Sequence, residues 1–128
     1  MADAKAQPDA KAQLAGMLNK PFYVALRKPA DLSRLESLLA AHLEWAIQAE
    51  RRGELFMSGP FMADGARPGT QGSMTILRAD SEAAAWRIIE QDPFIKQGVF
   101  TAEVKRWVLM EGSMTVSVRF SDQSYQLR

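Results

Sequence analysis

The feature that most constrains this chain is a repeated rhythm of strand, helix, strand. Residues 22–27, Phe-Tyr-Val-Ala-Leu-Arg, are rich in β-branched and aromatic side chains and run up to Pro29, which marks a strand. A helical pattern follows, with Leu35, Leu38, Leu39, Ala46 and Ala49 forming a core-facing stripe. Ser33 and Glu36 have the spacing of a capping box at its start, and Gly53, after Arg51 and Arg52, supplies its stop. Residues 55–59 read as a second strand ended by Pro60, and residues 62–71 as a turn-rich loop. A third strand covers 73–78. Asp80 or Ser81 caps a second helix from Glu82 to about Gln91, which Pro93 ends because a residue before proline leaves the α region. Gly98 closes a short extra turn, and residues 101–110 form a fourth strand.

The order is therefore βαββαβ. Right-handed crossovers turn that order into an α+β, ferredoxin-like domain: a four-stranded antiparallel sheet with both helices on one face. Val24, Leu26, Met57, Met74, Ile76, Val104 and Val108 are expected to face the helices. Tyr23, Phe56, Leu77, Trp107 and Leu109 then fall on the opposite face. So much apolar surface is not left in water, which predicts that a second subunit covers it, in a homodimer or higher homo-oligomer.

Residues 1–20 read as a flexible, weakly helical leader, with Leu14, Met17 and Leu18 as its only docking side chains. The domain itself spans 21–120. Residues 114–120 alternate apolar and polar side chains, an extra strand that extends the sheet edge or crosses to a partner. Residues 121–128 read as a polar, loosely held tail.

Composition removes several functions. Sixteen basic residues against 15 acidic ones leave a formal charge of +1, with no electrostatic footprint for nucleic acid or a membrane surface. The absence of cysteine removes disulfides and thiolate chemistry and fits a cytoplasmic location. One histidine and no cysteine leave no good zinc set, so no metal is expected. No G-x-S-x-G nucleophile elbow occurs, and the glycines at 65, 69 and 72 lack the spacing and lysine of a phosphate-binding loop. That loop is expected to form a mobile pocket rim instead.

Two residues stand out chemically. His42 is the only histidine, and it lies in mid-helix beside the core stripe. Its side-chain class is the one that most simply shuttles protons at neutral pH. Asp92 is expected at the C-terminal end of the second helix, where the helix dipole disfavours a carboxylate. Local rules are broken mostly at functional or strained positions.

An ordered set of short segments extends this reading. His42-Leu43, Gly53-Glu54-Leu55, Ser58-Gly59-Pro60, Gly72-Ser73, Glu82-Ala83 with Trp86, Asp92-Pro93-Phe94, Gly98-Val99 and Trp107 follow one another along most of the chain. This succession resembles the YCII-related family. The resemblance implies a ferredoxin-like fold paired into a dimeric α/β barrel. It also implies a catalytic His42–Asp92 pair in a pocket near the dimer interface. Ser58, Gly59, Pro60 and Ser73 are the expected substrate-binding border, and Phe94 with Trp107 an aromatic wall. The chemistry expected is cofactor-independent proton transfer, an elimination or isomerisation on a small aromatic or cyclic molecule. The alternatives are a non-catalytic ligand-binding or accessory dimer and a cofactor-free oxygenase.

Overall fold

A computed structural model describes residues 9–128. The part of the leader expected at residues 1–8 lies outside the described residues. Two compact units divide the chain, one from residues 21–108 and one from its two ends.

In the larger unit, β1 (Lys20–Pro29), α2 (Leu35–Arg51), β2 (Leu55–Pro60), β3 (Ser73–Leu77), α3 (Glu82–Ile89), α4 (Pro93–Lys96) and β4 (Phe100–Leu109) follow in the expected order. The antiparallel sheet has the strand order β2-β3-β1-β4, which is the ferredoxin-like arrangement. Tyr23 pairs with Leu77 and Ala25 with Thr75 across β1 and β3. Residues directly opposite in an antiparallel pair share a face. Ala25 and Leu77 pack with Val104 against Ala85 and Ile89 of α3 and Trp45 of α2, so theirs is the face that carries the helices.

This inverts part of the expected face assignment. Val24, Leu26, Met74, Ile76 and Met57 lie on the face away from the helices, whereas Tyr23 and Leu77 lie beneath them. Val104, Phe56 and Trp107 fall where expected, the last two meeting Phe22 at ring separations of 4.6 and 6.0 Å. The alternation of a strand fixes which residues share a face, and here both faces are apolar, so alternation did not say which one is covered.

The register slips once. Leu55 pairs with Leu77, but Met57 pairs with Ile76, so Phe56 is the extra residue of a β-bulge. Beyond the bulge Ser58 pairs with Thr75 and Pro60 with Ser73, which turns Ser58 toward the helices.

The helix ends are built differently from expectation at one place. Asp31 accepts from the Ser33 N–H and starts a short 3-10 turn, Leu32–Arg34, which shifts the start of α2 to Leu35. The Ser33–Glu36 capping box is therefore not formed; Arg34 is the N-cap and makes no side-chain capping bond, its guanidinium donating instead to Gln97 Oε1 at 2.8 Å. Gly53 (φ +79°) ends α2 as expected, its N–H bonded to the Glu50 carbonyl and the Glu54 N–H to that of Ala49. That pair of bonds is a Schellman motif. Ser81 caps α3 by accepting from the Ala84 N–H at 3.0 Å. The buried stripe of α2 is Leu35, Leu38, His42, Trp45 and Ala49, with Leu39 and Ala46 rotated to one side of it.

In the smaller unit, Asp9 caps α1 (Ala10–Gly16). Residues 114–120 neither extend the main sheet nor stand alone. Within them β5 (Val116–Arg119) pairs with β6 (Ser124–Leu127) as a separate antiparallel hairpin, so residues 121–128 are a strand and its turn rather than a tail. Asp122 builds the turn by accepting from the Ser124 N–H and hydroxyl, and Gln123 takes a positive φ of 55°. No helix among the described residues is long and apolar enough to cross a membrane.

Candidate active site

Asp92 organises the site, and its place in the fold is not the expected one. α3 ends at Ile89, and Asp92 is the N-cap of α4, with Pro93 in the first position of that helix. Its Oδ1 accepts from the Phe94 N–H at 3.0 Å. The conflict with a helix dipole expected at this position does not arise, since a capping carboxylate is favourable there.

The same carboxylate is fully buried and holds two more donors. Oδ1 lies 2.8 Å from His42 Nδ1, and Oδ2 accepts from Arg27 Nε at 2.9 Å. Against a carboxylate, a neutral imidazole carries its proton on Nδ1, which leaves the lone pair on Nε2. No protein group bonds Nε2 among the described residues. The imidazole also stacks on the Phe94 ring at 4.3 Å, with 16° between the planes. Asp92 thus fixes the histidine and, through the backbone of Phe94, the ring on which it lies.

Arg27 is the part of this site that sequence reasoning missed. It is 2% exposed and sits on the helix-facing side of β1, with its guanidinium 5.6 Å from the Trp45 ring centroid. Burial pushes its pKa below the ordinary arginine value, and the charge and hydrogen bond of Asp92 oppose that shift. Arg27 Nη1 donates to the hydroxyl of Thr75, which is itself fully buried. Thr75 Oγ1 lies 2.8 Å from Ser58 Oγ. A continuous hydrogen-bonded chain therefore runs from His42 through Asp92, Arg27 and Thr75 to Ser58.

Both ends of that chain line one cavity of about 540 Å³. Its apolar wall is Leu35, Leu39, Leu43 and Ala46 of α2 with Phe94 and Phe100. Ser58, Gly59, Pro60 and Ser73, the four residues expected at a substrate border, line the opposite side of this cavity. The loop contributes Arg67, Pro68, Gly69 and Gly72, so it forms the rim, with Arg67 held 3.4 Å from Glu36 on α2. Small ligands are typically held this way, by apolar walls with few polar groups. Trp107 is not brought here. It meets Phe22 on the other face of the sheet, three residues beyond Val104 and so of opposite parity, which corrects its assignment to the aromatic wall. Among the described residues, no group of three or more His, Asp or Glu side chains is placed to hold a metal ion.

The model of the YCII-related domain matches residues 22–108. The chain belongs to the YCII-related family. No curated protein sequence matches this YCII-related chain. Among solved structures, it is similar to 5-chloro-2-hydroxyhydroquinone dehydrochlorinase from Burkholderia phenoliruptrix in complex with 2,5-dihydroxybenzoquinone, at 25% identity and a TM-score of 0.52. The shared part covers 66% of this chain and 92% of the dehydrochlorinase.

A signal for Arg27 did exist in the sequence. It lies two residues beyond Ala25 in a strand, so it shares a face with a core residue. A buried arginine requires a counter-charge, and Asp92 was already singled out.

Proposed function

We propose that this YCII-related protein is a small enzyme that catalyses an elimination or isomerisation by proton transfer on a small ring-bearing molecule. His42 acts as the general base and then as the acid, and Asp92 orients it. The observation that carries this reading is the 2.8 Å contact between His42 Nδ1 and Asp92, with Nε2 unpaired on a side chain that lines the cavity. A base must first be within reach of the proton and then in the correct tautomer, and this arrangement supplies the second condition. The apolar cavity fits a single substituted ring. The likeness to a dehydrochlorinase supports elimination as the reaction class, and the quinone in that structure supports a ring as the ligand.

The test is chloride release from 5-chloro-2-hydroxyhydroquinone, followed in the wild type and in His42→Gln. Turnover that disappears in the variant while circular dichroism stays unchanged supports the reading. Turnover retained in His42→Gln sinks it. Saturable binding of 2,5-dihydroxybenzoquinone without turnover favours the ligand-binding alternative.

We further propose a homodimer built on the sheet face away from the helices. Met57, Met74 and Trp107 remain 46, 38 and 36% exposed on that face. Light scattering at micromolar concentration is expected to give twice the 14.2 kDa chain mass, and a monomer mass would remove this part.

A further inference from the structure

The chain of bonds that begins at His42 ends at a second side chain in the same cavity, and the cation in its middle decides how that end behaves. Arg27 Nη1 donates to Thr75 Oγ1 and so occupies one of that oxygen's lone pairs. A positive neighbour makes a hydroxyl a poorer acceptor and a better donor. Thr75 and Ser58 lie 2.8 Å apart, a contact in which either hydroxyl can donate, and the cation on Thr75 favours the arrangement in which Thr75 donates and Ser58 accepts. The Ser58 proton is then left for whatever occupies the cavity that Ser58 lines.

We propose that Ser58 is the second functional group of the site, a donor to an oxygen that becomes negative as His42 takes its proton. Arg27 and Thr75 act through it as positioning residues. The inference rests on the proposed role of His42 and narrows the substrate class. The ligand is a phenol, an enol or a carbonyl compound in which the reacting carbon or hydroxyl is conjugated to an oxygen. His42 Nε2 removes the proton, and the electron pair left behind moves onto that oxygen. Ser58 hydrogen-bonds the resulting oxyanion. In an elimination the pair returns, the carbonyl reforms and the leaving anion departs from the neighbouring carbon. His42 then passes its proton to that anion or to water, so the elements of an acid are lost and nothing is oxidised.

Donors aimed where charge develops do more for the ionised form than for the neutral one. The probe is therefore 4-nitrophenol, whose phenolate absorbs in the visible. Wild-type protein is expected to bind it with a rise in the phenolate band at fixed pH. A hydrogen bond to a charged group corresponds to about tenfold or more, so Ser58→Ala is expected to lower the bound phenolate-to-phenol ratio by about that factor. Ser58→Thr, which keeps a hydroxyl, restores the preference. Thr75→Val keeps the side-chain shape and is expected to lose a similar factor, with no further loss when added to Ser58→Ala. A merely structural Thr75 would instead lower binding of both forms and add to Ser58→Ala. Ser58 lies on the edge strand, so Ser58→Ala carries the test even where Thr75→Val does not fold. Absence of saturable binding, or an unchanged phenolate ratio in Ser58→Ala, overturns the proposal. The nitrogen signals of the single imidazole read the His42–Asp92 pair separately. A lost Ser58 effect beside an intact Nδ1–H signal therefore overturns this inference alone.

Discussion

Asp92→Asn gives the most direct test of how the site is held. The carboxylate is fully buried and meets three donors: the Phe94 N–H and His42 Nδ1 at Oδ1, and Arg27 Nε at Oδ2. The amide that replaces it has one oxygen and one NH2 group. If the oxygen stays at the Oδ1 position, the NH2 group confronts the Arg27 N–H. If it turns to Arg27, the cap on Phe94 is lost and His42 must change tautomer. Either way Arg27, itself 2% exposed, loses its counter-charge. Breaking a buried ion pair from one side costs about 3–5 kcal/mol. That is a large share of the roughly 5–15 kcal/mol that holds a domain together. Urea unfolding should thus show Asp92→Asn weakened by about 3 kcal/mol or more, with little change in slope. Arg27→Met should lose a similar amount, because it leaves the carboxylate buried alone. The double variant should lose less than the sum of the two, with a coupling of at least about 1.5 kcal/mol. Nitrogen shifts of the imidazole at alkaline pH should report Nδ1–H in the wild type and a changed tautomer mixture in Asp92→Asn. Additive losses, or a cost below about 1 kcal/mol for Asp92→Asn, would refute the argument, since a buried charge cannot lose its partner so cheaply.

Two further expectations follow from the same geometry. Gly72 has φ +81°, and a β-carbon there would lie 2.2 Å from the Arg27 carbonyl oxygen, so Gly72→Ala should destabilise by more than about 1 kcal/mol in thermal or urea unfolding. Unchanged stability would mean that the loop does not lie against β1 at this point. Phe94→Leu should return the His42 ring protons from upfield shifts caused by the stacked phenyl, at a stability cost of about 0.5–1.5 kcal/mol beyond the lost area. Proton shifts identical in wild type and variant would remove the stack.

The element order was legible because the two periods, 3.6 and 2, alternate along the chain with proline and glycine at their boundaries. His42 and Asp92 were legible for a weaker reason, since a single histidine in mid-helix is conspicuous. Asp92 is not at odds with a helix dipole. It caps α4 instead of ending α3, and the sequence Asp-Pro fits both descriptions until the helix ends are known. Arg27 escaped because Leu-Arg-Lys-Pro reads as a strand leaving the sheet. Its strand parity with Ala25 hints at burial, but the counter-charge that permits it lies 65 positions away, which no local pattern carries. The hairpin of β5 and β6 escaped for a similar reason. Val116 to Arg119 sits in a seven-residue run that alternates like a strand, whereas its partner, Ser124 to Leu127, has only Tyr125 and Leu127 as apolar members and follows the polar stretch Ser121 to Gln123.

The face inversion and the bulge bear on the chemistry more than either omission. Regular pairing from Leu55 and Leu77 would set Met57 opposite Thr75 and turn Ser58 to the face away from the helices. Ser58 would then be cut off from Thr75, and the chain from His42 would end inside the protein. One extra residue, Phe56, shifts the strand by a single position, and a shift of one position exchanges the two faces of a strand. Phe56 also occupies that outer face itself, stacked on Phe22 with the rings 11° from parallel, which fixes the bulge by packing. The aromatic pair on one side of the sheet and the serine in the cavity on the other are thus one structural decision. For that reason a short motif, Ser58-Gly59-Pro60, marks the border of the pocket even though its local alternation points the serine the other way.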